Sequence, residues 1–133
     1  MRDHMTALLA AWDSIPTDGG ATARLRRFVH FHLGFHLPRP DQVFIAYMEL
    51  RHLDPGNFAE IDALRRRYED ALDAILQAGV AEGVFAIRDS RVTVMALIAL
   101  LTGLGNWYRA GGRLPLDEIE AIYWDLVRRA VMA

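Results

Sequence analysis

Along positions 91–109, RVTVMALIALLTGLGNWYR, apolar side chains follow one another almost without pause. Between Val92 and Gly105 the only side chains that are neither apolar nor glycine are Thr93 and Thr102. A surface helix needs one apolar stripe, and a helix apolar all round must be covered all round. The run falls short of the roughly 20 residues of a membrane span, and Arg88, Asp89, Arg91 and Arg109 flank it. The spacing therefore predicts a buried helix. At about 100° per residue, Val94, Leu97, Leu101, Leu104 and Tyr108 form a ridge of large side chains. The far side carries Val92, Met95, Ala96, Ala99, Gly103 and Trp107, where small residues admit a close neighbour. One face suits the chain's own core. The other suits a second copy of the chain.

The rest of the pattern is helical too. Positions 1–14 place Met5, Leu8, Leu9 and Trp12 on one stripe, and Pro16, Gly19 and Gly20 then break the chain. A helix over 22–37 carries Leu25, Phe28, Val29, His32, Phe35 and His36 inward, and Pro38 and Pro40 stop it. A third begins near Asp41 as N-cap and presents Val43, Phe44, Tyr47, Met48 and Leu50. The longest, 56–81, has Ile61, Leu64, Tyr68, Leu72, Ile75 and Gly79 at spacings of three and four, with Pro55 suited to its opening and Gly83 to its end. Residues 84–87 are apolar enough for a strand with nothing to pair with, so a packed connector is expected. Asp89 or Ser90 caps the 91–109 helix, and Gly111 and Gly112 end it. Pro115 opens the last helix, 115–132, with Ile119, Ile122, Tyr123, Leu126 and Ala130 central and Trp124, Val127 and Val131 flanking. The expected fold is all-α, a six-helix bundle whose last two helices form a four-helix dimer interface with a second copy.

Composition narrows the function. At 133 residues the chain is a single domain with room for one core. A net charge of −2 provides no global field for nucleic acid. The absence of cysteine removes disulfides and thiolate metal sites and suits a reducing cytoplasm, and the charged first turn does not read as a secretion signal. A cytoplasmic location away from membranes is the expectation.

Several segments, in order, resemble a known family. Glu49-Leu50-Arg51-His52-Leu53-Asp54-Pro55 is followed by Arg65-Arg66-Arg67-Tyr68-Glu69. Then come 77–85 (QAGVAEGVF), 107–114 (WYRAGGRL) and Asp117-Glu118-Ile119, while FHLGFHL at 31–37 is a weaker match. From Tyr47 onward the sequence is similar to the C-terminal, ligand-sensing half of TetR-type bacterial transcriptional regulators, in the branch that often answers to acyl-CoA or fatty-acyl ligands. The resemblance implies a four-helix dimer bundle from the last two helices of each protomer, a ligand cavity among the earlier helices, and a linking helix whose remnant is 1–14. It implies DNA binding only through an N-terminal head that these residues do not supply. Two departures stand out: Thr102-Gly103 where this branch often has Asn-Trp, and Ala110 where a proline is common.

Candidate residues follow from both readings. Phe28, Phe35, Phe44, Tyr47, Met48 and Tyr68 are the apolar candidates to line a pocket for a small hydrophobic effector, an acyl-CoA among them. Arg51 and His32 are the polar candidates to orient a carboxylate or phosphate. Met95, Ala99, Gly103 and Trp107, with Ile119, Tyr123, Trp124, Leu126 and Val127, are the candidates for the homodimer interface. His32 and His36 lie i,i+4 on one face, a spacing that can hold a metal. His30 points away from both, and no acidic residue between Ala21 and Pro40 completes a site, so no metal and no cofactor is expected. Ser14 and Ser90 stand at helix ends, and no nucleophile–base pair is visible, so no catalytic residue is expected. Two rivals remain: a solidly packed dimerisation module that senses nothing, and a small helical enzyme with a metal on the two histidines.

Overall fold

In the computed structural model, which describes residues 2–41 and 55–133, the stripe Met5, Leu8 and Leu9 becomes the buried side of α1 (Arg2–Asp13). Gly19 takes φ +92°, a conformation that glycine adopts without steric cost, and the chain turns into α2 (Ala21–His36). On α2, Leu25, Phe28, Val29, His32 and Leu33 are almost wholly buried. They pack against α3 (Pro55–Ala81), α4 (Ser90–Gly103) and α5 (Leu116–Val131), while α1 lies on α3. The helix at the centre of the bundle is therefore α2, although 91–109 has the denser apolar run. Pro40 and Asp41 are already helical, so Asp41 sits inside its helix and does not cap it. The expected pocket residues Phe44, Tyr47, Met48 and Arg51 lie outside the described residues.

Of the expected stripe, α3 buries Ile61, Tyr68, Leu72, Ile75 and Gly79 and leaves Leu64 partly buried, and it buries Leu76 besides. Its end is set by Gly83 at φ +78°, which lets the amides of Val84 and Phe85 reach the Gly79 carbonyl at 3.0 and 3.1 Å. Phe85 then folds back onto Gly79, where a Cβ would stand 1.9 Å from the ring. The connector does find a partner, contrary to expectation: Phe85 bridges Met132 in antiparallel sense. Ala86 N–H donates to the Val131 carbonyl at 2.8 Å and Ala133 N–H to that of Val84 at 3.1 Å. Pairing came from the far end of the chain, which local periodicity does not show.

Asp89 caps α4, its carboxylate accepting from Val92 N–H at 3.0 Å, and Ser90 is the first helical residue. The helix stops at Gly103 and one 3-10 turn follows, Leu104–Asn106, so the expected helix to 109 is too long. Gly103 and Gly105 account for this, each weakening a helix interior by about 1 kcal/mol relative to alanine. Trp107 thus stands beyond the helix, 57% exposed.

The two faces of α4 separate as the spacing predicts. Val94, Leu97, Leu101 and then Leu104 are buried, whereas Val92, Met95 and Leu100 are exposed. On α5 the faces fall differently from the expectation. Ile119, Val127 and Val131, four or eight apart, are the buried stripe, and Ile122 and Leu126 stand outside it. Ile119 and Val127, expected at the dimer seam, instead fill the protomer's own core. Among the described residues charges also pair across helices more than along them: Arg67 with Asp13, and Arg91 with Asp70 at 2.7 Å and Asp73 at 3.9 Å. Among the described residues no helix is long and apolar enough to cross a membrane.

Candidate functional site

His32 is the polar residue at the heart of the bundle, 2% exposed. Its Nδ1 lies 2.7 Å from the Tyr68 hydroxyl on α3 and its Nε2 3.0 Å from the Thr102 hydroxyl on α4. One imidazole thus ties three helices together. Hydroxyls both donate and accept, so they satisfy a neutral ring in either tautomer. Burial, then the neighbouring His36 and His4, holds the His32 pKa well below its ordinary value, and burial pushes the Tyr68 phenol well above its own. With both ring nitrogens engaged by hydroxyls, His32 has no free lone pair to offer a metal and no free N–H to offer an anion. Among the described residues no three acidic or histidine side chains are placed to hold a metal.

One turn on, His36 Nδ1 donates to the His32 carbonyl at 2.8 Å. The two imidazoles lie 4.0 Å apart centre to centre, and His4 of α1 meets His36 edge-on at 5.4 Å. Burial is the main cause that lowers the His36 pKa to about 4, partly opposed by the bond to the His32 carbonyl and aided by His4 and Arg39. Rings extend the cluster: Phe28 packs on Tyr68 at 5.1 Å, and Trp12 of α1 sets its edge against Phe28 at 5.3 Å.

A cleft of about 340 Å³ opens beside this cluster, between the C-terminal ends of α2 and α4. Leu33, Leu37 and Leu101 supply apolar wall, and His36, Thr102 and Asn106 supply uncharged polar groups. Its size falls at the lower end of the range of about 300–1,000 Å³ typical of small-molecule sites. Ala99 and Gly103, expected at the dimer seam, line it as well. On the other side of α2, Phe31, Phe35, Arg27 and Arg39 border a shallower hollow of about 480 Å³, with the Arg39 guanidinium 4.0 Å over the Phe35 ring.

The structure thus brings Phe28, His32 and Tyr68 into one buried stack, places Phe35 in a separate hollow, and turns His36 and Thr102 to the cleft. Sequence reasoning missed Thr102 as a partner of His32. The signal was present, since Thr93 and Thr102 are the two polar side chains of the apolar run. Thr93 is spent locally, its hydroxyl donating to the Asp89 carbonyl at 2.8 Å.

Residues 18–131 match the profile of the tetracycline repressor-like C-terminal domain. The chain belongs to this TetR family. No curated protein matches it. A TetR-family regulatory protein from Rhodococcus RHA1 superposes with a TM-score of 0.87 at 26% identity, over 98% of this chain and 70% of that one. PfmR, a TetR-family transcriptional regulator from Thermus thermophilus, gives 0.80 at 28% identity, over 95% and 69%. AibR, in complex with isovaleryl coenzyme A and operator DNA, gives 0.79 at 18% identity, over 94% and 71%, a likeness of fold. The TetR domain is regulatory, not enzymatic. The metal-enzyme rival falls on that ground and on the engaged nitrogens of His32.

Proposed function

We propose that this TetR-type domain senses a small hydrophobic effector and dimerises, so that effector binding alters how DNA-reading domains are presented to an operator. One observation carries the reading. Met95 and Leu100 on α4 and Ile122 and Leu126 on α5 stay open to solvent, although the same two helices bury their opposite faces. Burying these side chains against their own symmetry mates is the self-complementary solution of a two-fold interface. Half-buried Tyr123 and Trp124, with Trp107 beyond α4, would extend it. The cleft between α2 and α4 favours a sensing domain over a solidly packed dimerisation module.

α1 would serve as the linking helix, since His4 and Trp12 meet the ring cluster that borders the cleft. A ligand that moves His36 or Thr102 then acts on α1 through contacts already in place. An acyl-CoA effector is supported by the isovaleryl coenzyme A bound to AibR and by the sequence resemblance, and a cytoplasmic location suits a regulator of this kind.

Sedimentation velocity at micromolar concentration should report a dimer, and a folded single copy would overturn the dimer. A series of acyl-CoA thioesters should raise the thermal midpoint, because a ligand that binds only the native state stabilises it by RT ln(1+[L]/Kd). A midpoint unchanged across the series would remove acyl-CoA as the effector.

A further inference from the structure

Resting on that sensing role, we infer that the part of the effector entering the cleft between α2 and α4 is uncharged and bears a hydroxyl that donates to His36 Nε2. The tautomer follows from geometry. A carbonyl oxygen only accepts, so His36 Nδ1, 2.8 Å from the His32 carbonyl, carries the proton. In the neutral ring Nε2 is then a lone-pair acceptor, and among the described residues no hydrogen bond or ion pair occupies it. Among the described residues the other polar groups of the lining are also uncharged: Asn106, and Thr102, whose hydroxyl is anchored at 3.0 Å from His32 Nε2 and keeps further accepting capacity.

This arrangement rejects a carboxylate. Its oxygens would face the Nε2 lone pair, acceptor against acceptor. Protonating His36 to reverse the match is disfavoured by burial and by the nearby His4 and Arg39. Arg39 cannot substitute from its present position, since its guanidinium lies over the Phe35 ring and donates to the Phe35 carbonyl at 2.6 Å. A hydroxyl meets both needs, donating to His36 and accepting from the Asn106 amide, while Leu33, Leu37 and Leu101 take the hydrocarbon behind it. A coenzyme A thioester fits this chemistry when its acyl end carries a hydroxyl, with its phosphates elsewhere.

The test uses three probes of matched chain length, 1-decanol, decyl methyl ether and decanoate, titrated near neutral pH by calorimetry and thermal shift. The alcohol is expected to bind about tenfold tighter than either of the others, the scale of one buried hydrogen bond made or missed. His36→Leu should bring the alcohol down to the level of the ether while leaving the ether unchanged, which shows the cleft intact. The preference of the unaltered protein stands as a result even if that variant folds poorly. Equal binding of alcohol and ether, or tighter binding of decanoate, overturns the inference. Silence from all three overturns it as well, and leaves the dimer and acyl-CoA tests to judge the regulator reading separately.

Discussion

The Tyr68 hydroxyl has one described partner, His32 Nδ1 at 2.7 Å, and both are buried. Tyr68→Phe keeps the ring stack with Phe28 but strands that nitrogen. A buried polar group left unpaired costs about 1–3 kcal/mol. Urea unfolding should show the midpoint lowered accordingly with the slope unchanged. His36 makes a second prediction. Its folded pKa of about 4 lies below the ordinary 6.5, so between those values the unfolded chain binds more protons. The stability His36 contributes as a neutral ring is therefore complete above about pH 6.5 and falls as pH drops toward 4. His32 acts in the same direction. The thermal midpoint should fall on acidification through this window, and His36→Gln should flatten the slope; an unchanged slope would refute it. At this scale the sequence disclosed the i,i+4 histidines and their place on the inward face of α2. It did not disclose Tyr68 or Thr102 as partners, because those contacts join residues far apart in the chain.

Helix identity was legible because apolar spacing is a local property, and α1, α2, α3 and α5 begin and end within a residue or two of where the pattern places them. The end of α4 was not. The apolar run continues through Leu104, Trp107 and Tyr108, and periodicity alone gives Gly103 and Gly105 no weight as stops. The join of 84–87 to the C-terminus was illegible for a related reason, since a single bridge has no period. Glycines on two helices give contrasting expectations. Gly79→Ala would thrust a methyl into the Phe85 ring, and overpacking of this kind costs about 1–3 kcal/mol. It should also speed hydrogen exchange at the Ala86 and Ala133 amides that close the bridge. Gly34→Ala, in the interior of α2, meets nothing within 4 Å and should stabilise by up to about 1 kcal/mol. If both substitutions shift the thermal midpoint the same way, the close approach of Phe85 to Gly79 is not what fixes the end of α3.

For the whole molecule, the ambiguity in the sequence lay in a helix with two apolar faces, and nothing local told the core face from the partner face. The structure shows which face of α4 is core, since Leu101 is 2% exposed and Met95 48%, and on α5 Leu126 is likewise 48% exposed. That difference turns one interface question into a pair of opposed outcomes. Leu101→Asp buries an unpaired charge, which costs several kcal/mol against a total stability of about 5–15 kcal/mol for a typical domain. Loss of fold is expected, with circular dichroism collapsing and the oligomer vanishing as a consequence. Leu126→Asp leaves its charge in water in the lone protomer and desolvates it only at the proposed seam. A folded monomer is expected, with the helical spectrum kept and the sedimenting mass halved. Met95→Asp should behave like Leu126→Asp, because both are exposed apolar side chains, one on α4 and one on α5. Should the two surface variants remain dimeric while folded, the copies meet elsewhere, and these exposed side chains would belong to some other partner.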